Sequence, residues 1–547
     1  MNMKNFIVQK IQAAKRDLIV RDSHKKFTSA NQKAWKSFLE NNSQGAPKGR
    51  VLVDALIDHP AYLLSHSMIG NALWKEFSFK PLFLIDKRIR RKRKKICKSF
   101  GSDDFVVTPS PLTSMIKSPK IWSETIKLWN NIETGKDLLN LSYKNIHIGD
   151  LLYDTYLRQT GEGSIDHIDH SFLSFIFRAV LFTHFYQNIF DSYNIRAVVL
   201  GHMVYTQWGI LAREALANEA NVYSRQLGPK EFTIKKYTNL DEAKEYELRP
   251  SQELFSEIWE HHREKAVASG EEYINQRIRG DEDEIDASNA YSNDKEILTK
   301  KEVTELLDLN KDKKNVVIMS HVFTDAHHQD SKMLFPDYLT WLRETLRVAS
   351  RNDSVNWVVK PHPSANRYNC NQTVSTEVEK INPNNQFGNL KVFPSKVNTK
   401  TVVECADIIV TAKGTAGLEF PSLGIPAVIA GKTPYSGFGF NIEPNTKEEY
   451  FDLLNNMSEI EPLNQETVQR AKVMVFIRFI LMPVQTNLIP EMRRTKDYNE
   501  EVVYSKAGEL MKNTLPSQDY AMRKISEFLK SENGNLLNDW EKIKQDW

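Results

Sequence analysis

The chain has 547 residues, of which 41% are hydrophobic and 26% charged, and its net charge is +3 at pH 7. This length exceeds what one hydrophobic core usually supports, so two or more domains are expected. The composition is typical of a globular protein and excludes a chain that is mostly disordered. So small a net charge does not indicate a nucleic-acid-binding protein, and no nucleic-acid partner is expected.

The N-terminal twenty residues show helical periodicity interrupted by Lys and Arg, so they lack the continuous apolar core of a secretory signal. No window reaches about eighteen apolar residues, and no membrane-spanning helix is expected. The three cysteines, Cys97, Cys370 and Cys405, form no paired motif. This pattern predicts neither disulfides nor structural zinc, and we expect no cofactor. We predict a cytoplasmic protein, possibly peripheral at the inner membrane face.

The first half of the chain alternates apolar strands with helices. Gly49–Trp74 reads as a strand, a turn at His59-Pro60 and a helix, and Pro81–Asp86 reads as the next strand. The pattern repeats at Ile195–Trp208, where a strand turns at Gly201-His202 into a helix. This alternation predicts a parallel sheet that is covered on both faces.

The segment Arg277–Lys295 is acidic and rich in Asn and Ser, which predicts an exposed linker. A second alternating series follows, beginning with the strand Asn315–His321. Two such halves predict an α/β fold of two Rossmann-like, doubly wound domains facing across a cleft, with ligands beyond the carboxyl ends of the strands. We predict an N-terminal domain at 1–295, a C-terminal domain at 296–500, and helices packing back on both at 501–547.

One junction in the second half has the features of a nucleotide site. The strand Asp407–Thr411 ends at the small-residue turn Lys413-Gly414-Thr415, and a helix carrying Glu419 follows. Backbone N–H groups and the positive end of a helix dipole favour phosphate at such a turn. Glu419 can accept hydrogen bonds from ribose hydroxyls, and Tyr435 can stack on a base or contact a phosphate. The alternatives are an ordinary junction with a capping Thr, and rim packing for Tyr435.

The motif Lys360-Pro361-His362-Pro363 follows another strand, and its two prolines restrict the loop. We expect His362 to donate to a phosphate or act as an acid, and Lys360 to neutralise charge on the departing phosphate. The alternative is a rigid surface turn. Ser320 and His321 end the first strand of this domain, and we expect them to line the same site with Asp325 nearby. A metal reading of the adjacent His327 and His328 is disfavoured, because neighbouring residues cannot share one helix face.

The N-terminal half supplies candidates for activating an acceptor hydroxyl. Such a hydroxyl needs a carboxylate or His to take its proton, and Asp154, Glu162 and His202 are candidate bases. Solvated loop charges or helix caps are the alternative for each. The basic run Lys87–Lys95 can be a solvated face, or it can contact an anionic membrane or a polyanionic saccharide.

The KPHP motif, the segment Lys413–Glu419 and the Gly-rich stretch through Tyr435 resemble bacterial capsule and surface-polysaccharide biosynthesis proteins. These are GT-B-like glycosyltransferases, including capsule-type Kdo transferases and sialyl- and polysialyltransferases with a His-Pro motif. The resemblance is strongest over Asn315–Asn441 and implies a GT-B-like fold with an N-terminal acceptor-side domain and a C-terminal nucleotide-sugar-binding domain, which holds a nucleotide-sugar donor. It also implies a saccharide or lipid-linked saccharide acceptor in the N-terminal one.

By this resemblance His362 and Pro363 face the donor phosphate, Gly414 and Thr415 form the polar turn, and Glu419 is the ribose-binding carboxylate. This chain has Gly-Thr where the sialyltransferases have a Ser pair. The first-choice donor is a CMP-activated ulosonic acid such as Kdo or a sialic-acid relative, because such donors need no metal to bridge a diphosphate. A CDP-linked glycerol or polyol phosphotransferase and a non-catalytic saccharide-binding or export component are the alternatives.

Overall fold

The computed structural model of the protein describes residues 23–40, 45–57, 59–87, 90–226, 231–245, 248–280, 290–291, 295–328, 333–394, 396–490, 499–545 and 547. The N-terminal twenty residues, whose helical periodicity was noted above, lie outside these residues, and a helix over 23–38 opens the described chain. No helix in the described ranges combines the length and apolar character needed to cross a membrane.

The first half of the chain builds a seven-stranded sheet. Its strands are β1 (Gly49–Ala55), β2 (Phe79–Ile85), β3 (Phe105–Val107), β6 (Ile195–Leu200), β7 (Asn221–Gln226), β8 (Glu231–Tyr237) and β14 (Val484–Gln485), while β4 (Ser142–Tyr143) and β5 (Ile146–His147) form a separate hairpin. The order across the sheet is β14-β8-β7-β6-β1-β2-β3. The strands from β7 to β3 are parallel, and β8 and β14 add antiparallel edges.

Helices connect these strands and cover both faces of the sheet. They span Pro60–Phe77, Arg90–Lys98, Pro111–Lys117, Pro119–Trp129, Gly135–Leu139, Gly149–Thr160, Phe172–Ser192 and Tyr205–Ala217. Central strand residues such as Val51, Leu52 and Val53 are fully buried because both faces of the sheet are covered. The strand order reverses between β1 and β6, which leaves a crevice at their carboxyl ends.

The second sheet has five parallel strands in the order β11-β10-β9-β12-β13. They are β9 (Asn315–Met319), β10 (Asn356–Lys360), β11 (Leu390–Val392), β12 (Ile408–Thr411) and β13 (Ala427–Ile429). Helices in this half span Lys300–Leu307, Tyr338–Ala349, Val374–Ile381, Lys400–Cys405, Ala416–Ser422 and Lys447–Asn455. The order reverses between β9 and β12, the position at which doubly wound sheets bind ligands. The predicted fold class, α/β with two Rossmann-like doubly wound domains, is thus confirmed.

The remaining helices link the two halves, and they span Gln252–His261, Arg263–Arg279, Gln465–Phe476, Glu500–Asn513, Tyr520–Lys530 and Trp540–Gln545. The helix Arg263–Arg279 packs on Gln465–Phe476, and β14 follows that helix to extend the first sheet. Tyr504 and Ile525, from the C-terminal helices, belong to the core cluster that includes Val51 of β1. The domain boundaries at 295/296 and 500/501 stay predictions.

The prediction of an exposed linker is wrong at two of its residues. Arg277 and Tyr291 are 2% and 1% exposed, and both contact Glu419 of the second half. Their side chains are buried because together they satisfy a buried carboxylate. The acidic residues 281–289 lie outside the described part of the chain.

Candidate functional site

Three loops meet at the carboxyl edge of the second sheet. β9 lies between β10 and β12, with Lys360 paired to Met319 and Val410 paired to Ile318. Because all three strands are parallel, the loops that follow them leave the sheet on the same side. The structure therefore brings together the predicted His362 loop, the Ser320-His321 strand end and the turn at Lys413–Thr415.

His321 lies at the centre of this edge and joins the loop after β9 to the turn after β12. Its ring stacks on Tyr338 with centroids 4.2 Å apart, and its Nε2 accepts hydrogen bonds from the backbone N–H groups of Ala412 and Lys413 at 3.2 and 3.3 Å. Burial holds the pKa of His321 well below its ordinary value. The ring is therefore neutral, and its proton resides on Nδ1, since Nε2 is an acceptor.

This role of His321 changes the expected anion site. Two of the amides ahead of the helix Ala416–Ser422 serve His321, and the helix has only seven residues, so its dipole contributes less than the sequence pattern predicts. Thr415 makes no side-chain cap hydrogen bond. A Cβ on Gly414 would lie 3.3 Å from Cε1 of His321, so the glycine provides the space in which the ring packs. Lys413, 8% exposed, contributes positive charge near the ring.

The His362 loop has a defined ring orientation. The backbone N–H of Ser364 donates to Nδ1 of His362 at 3.1 Å, so the neutral ring carries its proton on Nε2 and can donate it to an anionic oxygen. His362 and Pro363 are half-buried. Next to this loop, Ser320 is 5% exposed, its N–H donates to the carbonyl of Lys360 at 3.1 Å, and its Oγ has no partner among the described residues. A ligand atom would satisfy that buried hydroxyl.

Lys360 does not take the position expected of it. The side chain is 3% exposed, and Nζ donates to the carbonyl of Val397 at 3.0 Å and lies over the ring of Phe393. Burial lowers the pKa of Lys360 to about 8. Its ammonium group is thus held beneath the sheet edge, which does not fit charge neutralisation at a departing phosphate.

Glu419 and Tyr435 also have structural partners. Arg277 Nε and the Tyr291 hydroxyl donate to the two oxygens of Glu419 at 2.8 and 2.7 Å, so each oxygen already has a partner within the protein, and the side chain is only 6% exposed. Tyr435 is 1% exposed, and its hydroxyl donates to the carbonyl of Gly414. Glu419 and Tyr435 are thus buried residues that pack against and stabilise the turn Lys413–Thr415, since both side chains already have partners within the protein.

The loop that follows β9 contacts the first half of the chain. His328 donates from its backbone N–H and its Nδ1 to the two oxygens of Asp154 at 3.1 and 2.7 Å. The Tyr205 hydroxyl donates to Oδ1 of Asp325 at 3.2 Å, although Tyr205 has a left-handed φ of 61°. A non-glycine residue in that region is strained, and such strain is concentrated at functional sites.

The three candidate bases of the first half therefore differ in availability. Both oxygens of Asp154 are used by His328, and those of Glu162 accept from Asn371 and Gln372 at 2.6 and 2.7 Å, so both carboxylates hold the two halves together. Burial lowers the pKa of His202 to about 4, so this His is a weak base.

Asp325 is exposed and points to the same interface. Only its Oδ1 accepts hydrogen bonds from the described residues, and Oδ2 is left for a ligand. Asp325 is consequently the candidate best placed to take a proton from an acceptor.

A polar cluster in the crevice between β1 and β6 was not predicted from the sequence. Asp54, 1% exposed, accepts from the backbone of Leu56 and from Trp208 Nε1 at 2.9 and 3.1 Å, and burial raises its pKa to about 6. His66 Nδ1 donates to the carbonyl of Asp54 at 2.8 Å, and burial lowers the pKa of His66 to about 3. The sequence feature that could have predicted this cluster is Asp54, a carboxylate within the apolar run of β1.

No three His, Cys, Asp or Glu side chains in the described ranges are arranged to hold a metal ion. His327 and His328, considered for that role, have other partners. Nδ1 of His327 accepts from the Tyr338 backbone at 3.2 Å, while His328 bonds to Asp154.

The chain thus has two doubly wound α/β domains with polar side chains at the carboxyl ends of their strands, the place where folds of this class bind ligands. Residues 239–456 match the model of the family described as capsule polysaccharide biosynthesis protein. This match contains the His362 loop, the Lys413–Thr415 turn and Asp325. It confirms the family resemblance that the motifs indicate.

No curated protein matches the chain. Among solved structures, the chain is similar to two Thermosulfurimonas dismutans KpsC structures, described as beta Kdo 2,7 and beta Kdo 2,4 transferases. The first is 15% identical, covering 58% of this chain and 87% of that one with a TM-score of 0.32, and the second is 14% identical, covering 58% and 88% with a TM-score of 0.31. A UDP-GlcNAc 2-epimerase from Neisseria meningitidis is 12% identical, covering 86% and 100% with a TM-score of 0.22. Likeness this low defines neither substrate nor mechanism.

Proposed function

We propose that the protein is a glycosyltransferase of bacterial capsule or other surface-polysaccharide biosynthesis that uses a nucleotide-sugar donor. The observation that carries this proposal is the meeting of His321, His362 and the turn Lys413–Thr415 at one sheet edge, with Asp325 beside it at the domain interface. The family match over the same residues supports it. The first-choice donor is a CMP-activated ulosonic acid such as Kdo or a sialic-acid relative.

The donor side suits a leaving group with a single phosphate. When the bond from the sugar to CMP breaks, negative charge grows on the phosphate oxygens, and fixed N–H donors stabilise it. His362 carries its proton on Nε2 and His321 on Nδ1, so both rings can donate without first gaining a charge. Lys413 supplies the cationic charge that the sequence pattern assigned to Lys360. One phosphate does not require a bridging metal.

The acceptor side is assigned to the interface with the first domain. Asp325 takes the proton of the acceptor hydroxyl, while Tyr205 fixes the orientation of the carboxylate through Oδ1. The rings of Tyr62, His202 and Trp208 lie 5.4 and 5.8 Å apart in succession beside β6. Such rings offer apolar faces against which a saccharide or lipid-linked saccharide can pack.

Thermal shift with CMP, CDP and UDP tests the donor assignment. A ligand that binds only the native state stabilises it by about 2.7 kcal/mol at a hundredfold excess over its Kd, and we expect CMP to give the largest shift. His362→Ala should reduce this shift. The matched control is His261→Ala, whose side chain is 67% exposed on another helix, and it should leave the shift unchanged.

An activity measurement tests the reaction itself. With a CMP-linked ulosonic acid as donor, Asp325→Asn should lower kcat at least about a hundredfold while CMP still raises the melting temperature, because a base contributes about 10²–10⁴ to the rate. If only CDP stabilises the protein and a polyol phosphate is transferred, the CDP-linked phosphotransferase is the correct reading. Polysaccharide binding without nucleotide binding or turnover would favour the export or binding component.

A further inference from the structure

The charge of this chain is concentrated in one segment. Residues 87–130 contain twelve Lys and Arg but only three acidic side chains, so the rest of the chain is net negative although the total is +3. A local excess of this size acts as a cationic surface even when the whole protein is almost neutral.

The same segment carries the most exposed large apolar side chains of the described residues. On the helix Pro111–Lys117, Leu112 is 78% and Ile116 is 85% exposed. They lie four residues apart and share one helix face. Trp122 Nε1 donates to the carbonyl of Met115 at 2.7 Å, and the helix contacts the helices Pro119–Trp129 and Phe172–Ser192, so the exposed face belongs to a helix that packs on the domain.

The apolar and basic groups lie at the same edge of the first sheet. β2 and β3 are paired with Ile85 opposite Val107, so the chain leaves both strands side by side. Lys87 is exposed just after β2, and Lys117 and Lys120 are exposed at the end of the apolar helix. We call Leu112, Ile116 and these three lysines the docking face.

The basic run Lys87–Lys95 is not uniformly exposed to solvent, so the hypothesis of a purely solvated face is wrong for part of it. Arg93 is 2% exposed and donates to the carbonyls of Ala55 and Leu56 at the end of β1. Lys94 lies over the Phe105 ring at 4.7 Å. Arg93 and Lys94 thus support the sheet edge, while Lys87, Lys117 and Lys120 are exposed.

We propose that the docking face binds the surface of an anionic lipid bilayer. Leu112 and Ile116 would enter the boundary between headgroups and acyl chains, while Lys87, Lys117 and Lys120 contact anionic headgroups. Charge complementarity selects this occupant, because a second copy would place two cationic faces against each other. The face adjoins the carboxyl edge of the first sheet, so binding holds the acceptor side of the cleft near the membrane.

Co-sedimentation with vesicles tests this proposal. The full chain should bind vesicles of phosphatidylcholine mixed with phosphatidylglycerol, bind phosphatidylcholine alone far less, and lose affinity as salt increases. Leu112→Ser with Ile116→Ser should weaken binding about tenfold, and Lys117→Gln with Lys120→Gln about fivefold for each charge removed. An unchanged melting temperature shows that each variant is folded.

The matched control is Ile297→Ser with Leu306→Ser, two apolar residues 52% and 50% exposed in the other half of the molecule. This control should bind vesicles like the original chain. Equal weakening by control and test variants, or equal binding to neutral and anionic vesicles, would overturn the proposal. Self-association in light scattering that Leu112→Ser with Ile116→Ser abolishes would also overturn it, in favour of a second copy on this face.

Discussion

The buried pair formed by Arg277 and Glu419 allows a sharp test of what the carboxylate does. The two side chains are 2% and 7% exposed, and their atoms are 2.8 Å apart. Arg277→Leu would leave Glu419 buried without its cation, and breaking such a pair costs about 3–5 kcal/mol. For a domain of about 150–250 residues this corresponds to a fall in melting temperature of about 6–20 °C. We expect a loss of stability in that range.

Differential scanning calorimetry of four proteins measures the coupling: the original chain, Arg277→Leu, Glu419→Gln and the double variant. The amide introduced by Glu419→Gln is neutral and can still accept a hydrogen bond from Tyr291, so the double variant should be more stable than the sum of the single losses implies. The difference from additivity gives the free energy of the pair.

The outcome also decides between two roles for Glu419. If Arg277→Leu lowers the free energy of unfolding by less than about 1 kcal/mol, the carboxylate does not depend on its partner, and the assignment of Glu419 as a structural anchor is refuted. A second contradiction would be a Glu419→Gln protein of near-normal stability that no longer responds to CMP. That result would support the original prediction that Glu419 binds the ribose.

Two further predictions concern the other corrected residues. Burial acts to lower the pKa of His328, but the Asp154 carboxylate outweighs it and holds the pKa above its ordinary value. The pair therefore contributes fully to the free energy of unfolding below about pH 6.5, and this contribution is lost as the pH rises through the raised pKa of His328. Calorimetry across pH should show this loss of stability in the original chain but not in Asp154→Asn. Lys360→Met should show the same CMP-dependent thermal shift as the original chain, because Nζ of Lys360 donates to the Val397 carbonyl and not to the ligand. Loss of the shift in a folded variant would instead place the ammonium group at the phosphate.

The sequence by itself determined the two sheets and the loops that end their strands. Apolar runs such as the one within Asn315–His321 form buried parallel strands, and polar or glycine-containing turns mark their carboxyl ends. In a parallel sheet those ends share one edge, so the local pattern predicts the His362 loop and the Gly414 turn at the same edge, although the strand order sets how near they lie. Local pattern indicates these strands because short, continuous apolar runs that alternate with helices are typical of buried parallel sheets.

Only the tertiary structure decided which polar side chains are available. Glu419 is engaged because Arg277 and Tyr291, 142 and 128 positions earlier, fold against it. The amides at Lys413 serve His321 because β9 lies beside β12. The partner of a buried charge is chosen by packing between distant segments, and desolvation makes that choice costly to change. Residue type and spacing thus located the candidate site, but the three-dimensional contacts decided which of its side chains are available to a ligand.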